Sequence, residues 1–232
     1  VEEFDAMGID VALLANNHCC DRLARGIDTT IEQLNKHNIA HTGVYTDSID
    51  YARNNILHIE SHGIRFTIVN YTYGTNGIPV PHPCTINLMD SVYVKETIAK
   101  ARDMGSDIIV CLPHWGEEYM LTPSAQQKRW AAMLLREGAD IIMGSHPHVP
   151  QSAEYSSQKV LFYSLGNYIS NQTTPDFTQL EMMVTVRIQK NSITGETVLL
   201  EPEIEWLWCF KKCVVRHTEI DFILHSLGWR VR

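Results

Sequence analysis

Ala139-Asp140-Ile141-Ile142-Met143-Gly144-Ser145-His146-Pro147-His148 is the stretch on which the reading of this chain turns. Its first half is a short apolar run bounded by Gly138 and Gly144, the pattern of a buried strand. Its second half places two histidines two residues apart just past the strand's end. Extended residues at i and i+2 point to the same side, so both imidazoles are expected to reach one small volume. Imidazole is the commonest metal-binding side chain at neutral pH, and Pro147 stiffens the segment between the pair. Read alone, the motif fits a metal site and a surface loop with two histidines equally well.

Working outward, residues 124–137 have helical periodicity with Gly138 as the stop. Before them, Asp107-Ile-Ile-Val-Cys-Leu112 reads as a buried strand that delivers Pro113-His114-Trp115-Gly116-Glu117-Glu118-Tyr119. Residues 90–104 predict a helix through Val94, Ile98 and Ala101, closed by Gly105. Residues 56–60 and 64–70 predict a hairpin turning at His62-Gly63. Residues 71–87, rich in Gly, Pro, Thr and Asn, predict a long surface loop. At the start, residues 1–8 read as the end of a helix and 9–14 as a strand running into Ala15-Asn16-Asn17-His18. Ile27, Ile31 and Leu34 recur at helical spacing over 26–37, and 39–43 reads as another strand. Downstream, 160–165 is a strand ending at Gly166-Asn167. Segments 184–189 and 197–206 form an antiparallel pair around 191–195. Strands alternating with helices predict a layered α/β fold. With no repeat, low-complexity tract or linker, residues 1–232 read as one domain, with 211–232 left unread.

The 232 residues suffice for a substantial core. Hydrophobic content of 44% and charged content of 20% are those of a soluble globular protein. A net charge of −8 without a long Lys/Arg run argues against nucleic acid as a partner; a bound metal would add positive charge that this count omits. No run reaches the ~18 apolar residues of a membrane-crossing helix. The opening Val1-Glu2-Glu3-Phe4-Asp5 reads as mid-helix, so the sequence is expected to begin inside a larger gene product, with targeting information in the absent part. Among six cysteines, Cys111 lies in an apolar run and reads as a core residue. Adjacent Cys19 and Cys20 are a poor start for a disulfide framework, and the compartment stays open.

Four strand ends carry polar groups: Asn17-His18, His114, His146 with His148, and Asn167. Strand ends are where α/β folds bind ligands. One histidine after one strand is as well explained by a local hydrogen bond. Three strands each ending in histidine point to a shared site at one edge of a sheet. Imidazole nitrogens, an Asn carbonyl and carboxylates suit Mn²⁺, Fe or Zn²⁺ more than Ca²⁺ or Mg²⁺. Two such ions ~3.5–4 Å apart would clamp a phosphoryl group.

In this order the motifs resemble the CapA family, the capsule or poly-γ-glutamate synthesis accessory proteins of the calcineurin-like metallophosphoesterase superfamily. The matching pieces are Leu14-Ala-Asn-Asn-His18 with Asp21, His114-Trp-Gly-Glu-Glu-Tyr119, Gly144-Ser-His-Pro-His148 and Tyr163-Ser-Leu-Gly-Asn-Tyr168. The resemblance implies a four-layer α/β/β/α metallophosphoesterase-like sandwich holding divalent metal, two ions of Mn, Fe or Zn. It implies Asn17, His114, His146 and His148 as metal ligands, and His18 as the group meeting a substrate phosphate or leaving group. Asp21 would orient His18, although in many members that acid directly follows the histidine, and here Cys19 and Cys20 intervene. Glu118 and Asn167 are candidate substrate contacts.

The implied role is metal-dependent hydrolysis in cell-envelope polymer production. The substrate would be an anionic polymer or phosphorylated precursor, and polymer synthase subunits at the membrane would be partners. The rival reading is a non-catalytic accessory subunit that binds the polymer or its synthase. The family's Gly-Asp and Asn-Leu-Glu segments would precede Asn17, and this sequence starts too late to hold them. The domain is therefore expected to be N-terminally truncated and its site incomplete. His37, His41, His58, His62, His82, His217 and His225 match no motif and read as surface or locally hydrogen-bonded residues. Trp206 and Trp208 read as packing residues.

Overall fold

The alternation of strand and helix expected from the apolar runs is present in the computed structural model, which describes residues 1–172, 174–210 and 213–215. The chain forms two units, one of residues 1–115 and 129–144, the other of residues 116–128 and the chain from 145 onward. In the first unit α1 (Glu2–Ala6), β1 (Val11–Leu13), α2 (Leu23–Lys36), β2 (Ala40–Thr42), β3 (Val44–Tyr45) and α3 (Ser48–Asn54) come first. They are followed by β4 (Leu57–Ser61), β5 (Ile64–Thr72), β6 (Thr85–Ile86), α4 (Ser91–Asp103) and β7 (Ile108–His114). Helix α5 (Ala125–Glu137), counted with this unit from Arg129 onward, and β8 (Ile141–Met143) complete it.

Each helix has a local cause. Helix α2 buries Ile27, Ile31 and Leu34 on one face. Helix α4 starts at Asp90, whose carboxylate accepts from the Val92 and Tyr93 N–H groups at 3.0 and 2.9 Å; it buries Val94, Ile98 and Ala101 and gives way to Gly105 at φ +81°. Helix α3, which the apolar pattern does not announce, uses the same device: Asp47 accepts from Ile49 and Asp50 N–H, both at 2.8 Å. Strands β4 and β5 pair antiparallel across the expected turn. Strands β5, β7 and β8 pair in parallel, and parallel strands bury both faces, so β7 is nearly all apolar and Cys111 lies fully in the core.

Two expectations need correcting here. The surface loop over 71–87 is shorter than its composition suggests. Strand β5 continues to Thr72, β6 pairs with β3, and Cys84, Ile86 and Asn87 are buried. The Thr72 N–H bonds the Asn87 carbonyl and the Asn87 N–H bonds the Gly43 carbonyl, both at 2.9 Å; composition cannot reveal such long-range pairing. His41 is buried rather than at the surface, with Nε2 3.7 Å from the Asp50 carboxylate. Desolvation lowers its pKa, and Asp50 partly opposes that shift. His217 and His225 lie outside the described residues.

One side chain ties the first unit's strand ends together. Asn70, buried near the end of β5, accepts from the Ala15 N–H at 2.6 Å and donates to the Leu112 carbonyl at 2.7 Å. Gly43 lies against it at φ +103°, where a Cβ would stand 2.4 Å from Asn70 Oδ1 and 2.7 Å from the Ala15 nitrogen. Gly43→Ala combines a strained φ with a clash against backbone, and we expect it to cost about 3 kcal/mol of stability. Urea unfolding checks this; an unchanged midpoint would mean that the Ala15–Asn70 contact is not maintained in solution.

In the second unit β9 (Ala153–Tyr155) pairs antiparallel with β10 (Val160–Phe162). A single 3₁₀ turn, Asp176–Gln179, leads into β11 (Leu180–Thr185), β12 (Ile188–Lys190), β13 (Thr197–Leu199), β14 (Glu203–Phe210) and β15 (Cys213–Val215). The expected antiparallel pair is present in two steps, β12 with β13 and β11 with β14. The ladder breaks near Pro202, which has no N–H to donate. Strand β11 starts at Leu180, four residues before the visible alternation, because Leu180, Glu181 and Met182 are all buried and no polar face marks the period.

Candidate functional site

In the first unit the chain leaves β1 and turns through residues 14–22. Asn16 shapes that turn: its Oδ1 accepts from the His18 N–H at 2.8 Å and its Nδ2 donates to the Leu14 carbonyl at 3.0 Å. Asn17 is thereby buried, with Oδ1 2.9 Å from His114 Nε2 and Nδ2 donating to Asn76 Oδ1 at 3.2 Å. The Tyr73 ring stacks on His114 with centroids 6.4 Å apart and planes 7° from parallel. Asn70 holds Ala15 and Leu112, the residues two before Asn17 and His114, so one buried amide sets the approach of both. Two ligands of one ion with ~2.0–2.2 Å bonds stand roughly 3 Å apart. The Asn17–His114 contact, at 2.9 Å, has that spacing.

His18, beside them in sequence, is directed elsewhere. Its side chain is 62% exposed, and Nδ1 lies 3.0 Å from Asp21 Oδ2. With Nδ1–H donated to Asp21, Nε2 is the nitrogen left for a substrate, so the carboxylate fixes the tautomer across the intervening Cys19 and Cys20.

The second unit carries its own donor set. Glu118, His146 and His148 each offer a ligand atom, all within 4.8 Å of one another. Glu118 Oε1 is 3.9 Å from His148 Nε2. The two imidazoles meet, with centroids 6.1 Å apart, but not by extended geometry. His146 has φ +101° and His148 φ +61°, so the pair sits on a contorted loop, with Tyr119 at φ +65° opposite. Left-handed backbone at such residues costs roughly 1–2 kcal/mol each, and surrounding bonds hold it.

Those bonds can be traced. The Tyr119 N–H donates to the Pro147 carbonyl at 2.8 Å, and its ring lies over His148 at 6.0 Å. Ser124 and Gln127 form a capping box at the head of α5: Gln127 N–H donates to Ser124 Oγ at 3.2 Å and Ser124 N–H to Gln127 Oε1 at 2.9 Å. Gln127 then donates to Gln151 Oε1 at 2.8 Å, and Gln151 donates to the Met120 carbonyl at 2.7 Å. Gly116 admits this arrangement, since at φ +94° its Cβ would stand 2.6 Å from the Gln127 amide.

Asn167, expected as a substrate contact, stands behind His148. Its Oδ1 is 2.8 Å from His148 Nδ1, and its Nδ2 donates to the His148 and Thr178 carbonyls and to Gln172 Oε1. An amide carbonyl on Nδ1 keeps that nitrogen protonated and turns the Nε2 lone pair toward Glu118. Such a partner typically changes metal affinity 10–100-fold. Asn167→Ala is therefore expected to weaken Mn²⁺ binding by about that factor without unfolding the protein, as read by calorimetric titration. Unchanged affinity would mean that the Tyr119 stack alone orients His148. Glu118, the other expected substrate contact, lies among the candidate ligands.

The donors present, two imidazoles and a carboxylate in one unit and an imidazole with an amide oxygen in the other, fit Mn²⁺, Fe or Zn²⁺. Sequence reading missed Asn70, Tyr73, Asn76, Gln127 and Gln151. The one local signal among them is the Ser124-x-x-Gln127 spacing ahead of a helix.

Residues 1–172 match the family described as bacterial capsule synthesis protein PGA_cap. Capsule biosynthesis protein CapA of Bacillus anthracis is 34% identical over 171 residues, 71% of this chain and 41% of that protein. PGA biosynthesis protein CapA of Bacillus subtilis (strain 168) is 30% identical over 169 residues, 72% of this chain and 44% of that protein. The chain thus spans less than half the length of these relatives. Among solved structures, the sulfate thiohydrolase SoxB of Thermus thermophilus superposes with TM-score 0.58 at 15% identity, covering 98% of this chain and 38% of that one. The calcineurin-like phosphoesterase YfkN of Bacillus subtilis gives 0.55 at 15% identity, with 97% and 71% covered. Likeness at this identity is one of fold, and the fold is the metallophosphoesterase-like α/β class expected from the motifs.

Proposed function

Since the chain belongs to the PGA_cap family of bacterial capsule synthesis proteins, we propose that it works in building a polyglutamate-class capsule polymer as a metal-dependent hydrolase of metallophosphoesterase type. The observation that carries this reading is the Glu118, His146 and His148 cluster with His148 oriented by Asn167. Its site lies in the cell envelope, its substrate is an anionic polymer or phosphorylated precursor, and its partners are polymer synthase subunits at the membrane. Among the described residues no helix is long and apolar enough to cross a membrane.

Glu118, His146 and His148 would hold divalent metal in the second unit, and Asn17 with His114 offer a second pair of donors in the first. When bound, divalent metal supplies Lewis acidity and neutralises charge developing on the reacting group. The chain's own residues supply the rest. Asp21 holds His18 Nδ1 protonated, so Nε2 carries or receives the mobile proton at the leaving oxygen. Asn167 and Tyr119 keep His148 from rotating, and Asn70 keeps the Asn17 and His114 segments in register. Supplying the 232-residue chain with Mn²⁺, Fe²⁺ or Zn²⁺ and assaying a chromogenic phosphodiester and a γ-glutamyl polymer tests the reading. Metal-dependent turnover of either supports it; stoichiometric metal with no turnover of both leaves the accessory-subunit role in its place.

A further inference from the structure

Thr75-Asn76-Gly77-Ile78, on the first unit, holds the only Asn-Gly step of the sequence, and it forms a tight turn. Asn76 has φ +52° and Gly77 φ +76°, the two positive values that a type I′ turn requires. The Ile78 N–H closes the turn on the Thr75 carbonyl at 3.0 Å. Both central residues are exposed. Nothing stands within 4 Å of the place a Cβ on Gly77 would take, and among the described residues no group accepts from the Gly77 N–H. The peptide between the two residues is therefore open to water and free to turn.

The Asn76 side chain, by contrast, is held. Its Oδ1 accepts from Asn17 Nδ2 at 3.2 Å and from the Tyr73 hydroxyl at 3.4 Å. Both donors are fixed in advance, since Asn17 is buried and the Tyr73 ring is stacked on His114. Donors preorganised on a carbonyl oxygen stabilise the negative charge that develops there when a nucleophile adds to the carbon. The nucleophile next in the chain is the Gly77 nitrogen. Rotation about the Asn76 Cα–C bond swings it toward Asn76 Cγ while the side chain stays in place. That rotation costs the one backbone hydrogen bond that closes the turn.

We propose that Asn76 is a site of spontaneous deamidation, promoted by Asn17 and Tyr73, and that its isoaspartyl product releases Asn17. The Gly77 nitrogen bonds to Asn76 Cγ, the Cγ–Nδ2 bond breaks, and ammonia leaves with the proton that Gly77 gives up. Water then opens the resulting cyclic imide at one carbonyl or the other, yielding aspartate or isoaspartate. The two products differ in what they do for Asn17. Aspartate keeps an oxygen where Asn76 Oδ1 stands and, being charged, holds Asn17 Nδ2 more tightly, so Asn17 Oδ1 stays turned to His114. Isoaspartate adds one carbon to the main chain and carries its carboxylate directly on Cα, so the Asn17 amide loses its partner and can flip. The modification stands by itself; its consequence for binding rests on the reading of Asn17 and His114 as metal donors.

The test is incubation of the 232-residue chain at mildly alkaline pH, with its peptides mapped by mass spectrometry. The mass gain of an amide exchanged for an acid is expected at Asn76 before it is seen at Asn191, the exposed turn asparagine that precedes Ser192. Tyr73→Phe keeps the ring on His114, removes one donor from Oδ1 and should slow the reaction about 3-fold. Circular dichroism confirms that the variant is folded. An Asn76 still intact when Asn191 has been converted, or a Tyr73→Phe rate equal to the native one, overturns the proposal. The isoaspartyl form, separated by chromatography, should bind Mn²⁺ about 10-fold more weakly than the native chain, whereas Asn76→Asp should bind at least as tightly. Equal Mn²⁺ affinity of the isoaspartyl and native forms overturns the release of Asn17. A native chain that binds no Mn²⁺ sinks the metal reading instead, and the mass map decides the modification without it.

Discussion

His18→Ala is expected to lower turnover by about 10²–10⁴ and leave bound metal where it was, whereas His146→Ala is expected to lose both. The two side chains differ in surroundings. His18 is 62% exposed and its Nδ1 lies 3.0 Å from Asp21 Oδ2. On the proposed assignment it shuttles a proton and stands outside any ion's shell. His146 is 7% exposed and shares its donor region with Glu118 and His148, so its removal would leave two candidate donors where three stand. Metal analysis and phosphodiester hydrolysis on both variants, side by side, decide the assignment. A His18→Ala protein stripped of metal as fully as His146→Ala would make His18 a ligand.

The second large effect concerns stability and is independent of metal. Glu181 in β11 is 1% exposed, and among the described residues neither carboxylate oxygen has a hydrogen-bond partner. Burial alone pushes its pKa up from 4.5 to about 8. The sign follows from proton counting. Below pH 4.5 folded and unfolded chains both carry the proton, and nothing is lost. Between the two values the unfolded chain releases a proton that the folded chain retains, so stability falls with rising pH by ~1.4 kcal/mol per unit. By pH 8 the loss is on the order of 4 kcal/mol, and it levels off above that. Glu181→Gln keeps the shape and stays neutral. It should melt close to the native protein near pH 4 and on the order of 10 °C higher near pH 8. Equal melting temperatures at pH 8 would fulfil neither the burial argument nor the raised pKa.

Local rules carried the reading where neighbours in sequence were also neighbours in space. The Ile27, Ile31 and Leu34 stripe, the His62-Gly63 turn and the apolar run around Cys111 stand in the structure as expected. The histidine pair was legible as a pair but not in its backbone, since positive φ at His146 and His148 leaves no trace in composition. Asn70 was legible only as the end of a strand. Its partners Ala15 and Leu112 are 55 and 42 residues away, and nothing local points to them. Asn167 and Glu118 were recognised as members of motifs, but which atom faces which partner is set by tertiary packing.

The chain passes between its two units at Trp115/Gly116, Lys128/Arg129 and Gly144/Ser145. Two of these junctions fall inside the motifs that carry His114 with Glu118, and Gly144 with His146. No single stop codon or start codon can therefore release either unit whole. A gene ending after Trp115 would code for β7 without its parallel neighbour β8, and one beginning at Ser145 would omit Glu118 and the capping box that steadies Gln151. Recombination can transplant the donor groups of both units only as one uninterrupted length of coding sequence, so they are inherited together or not at all.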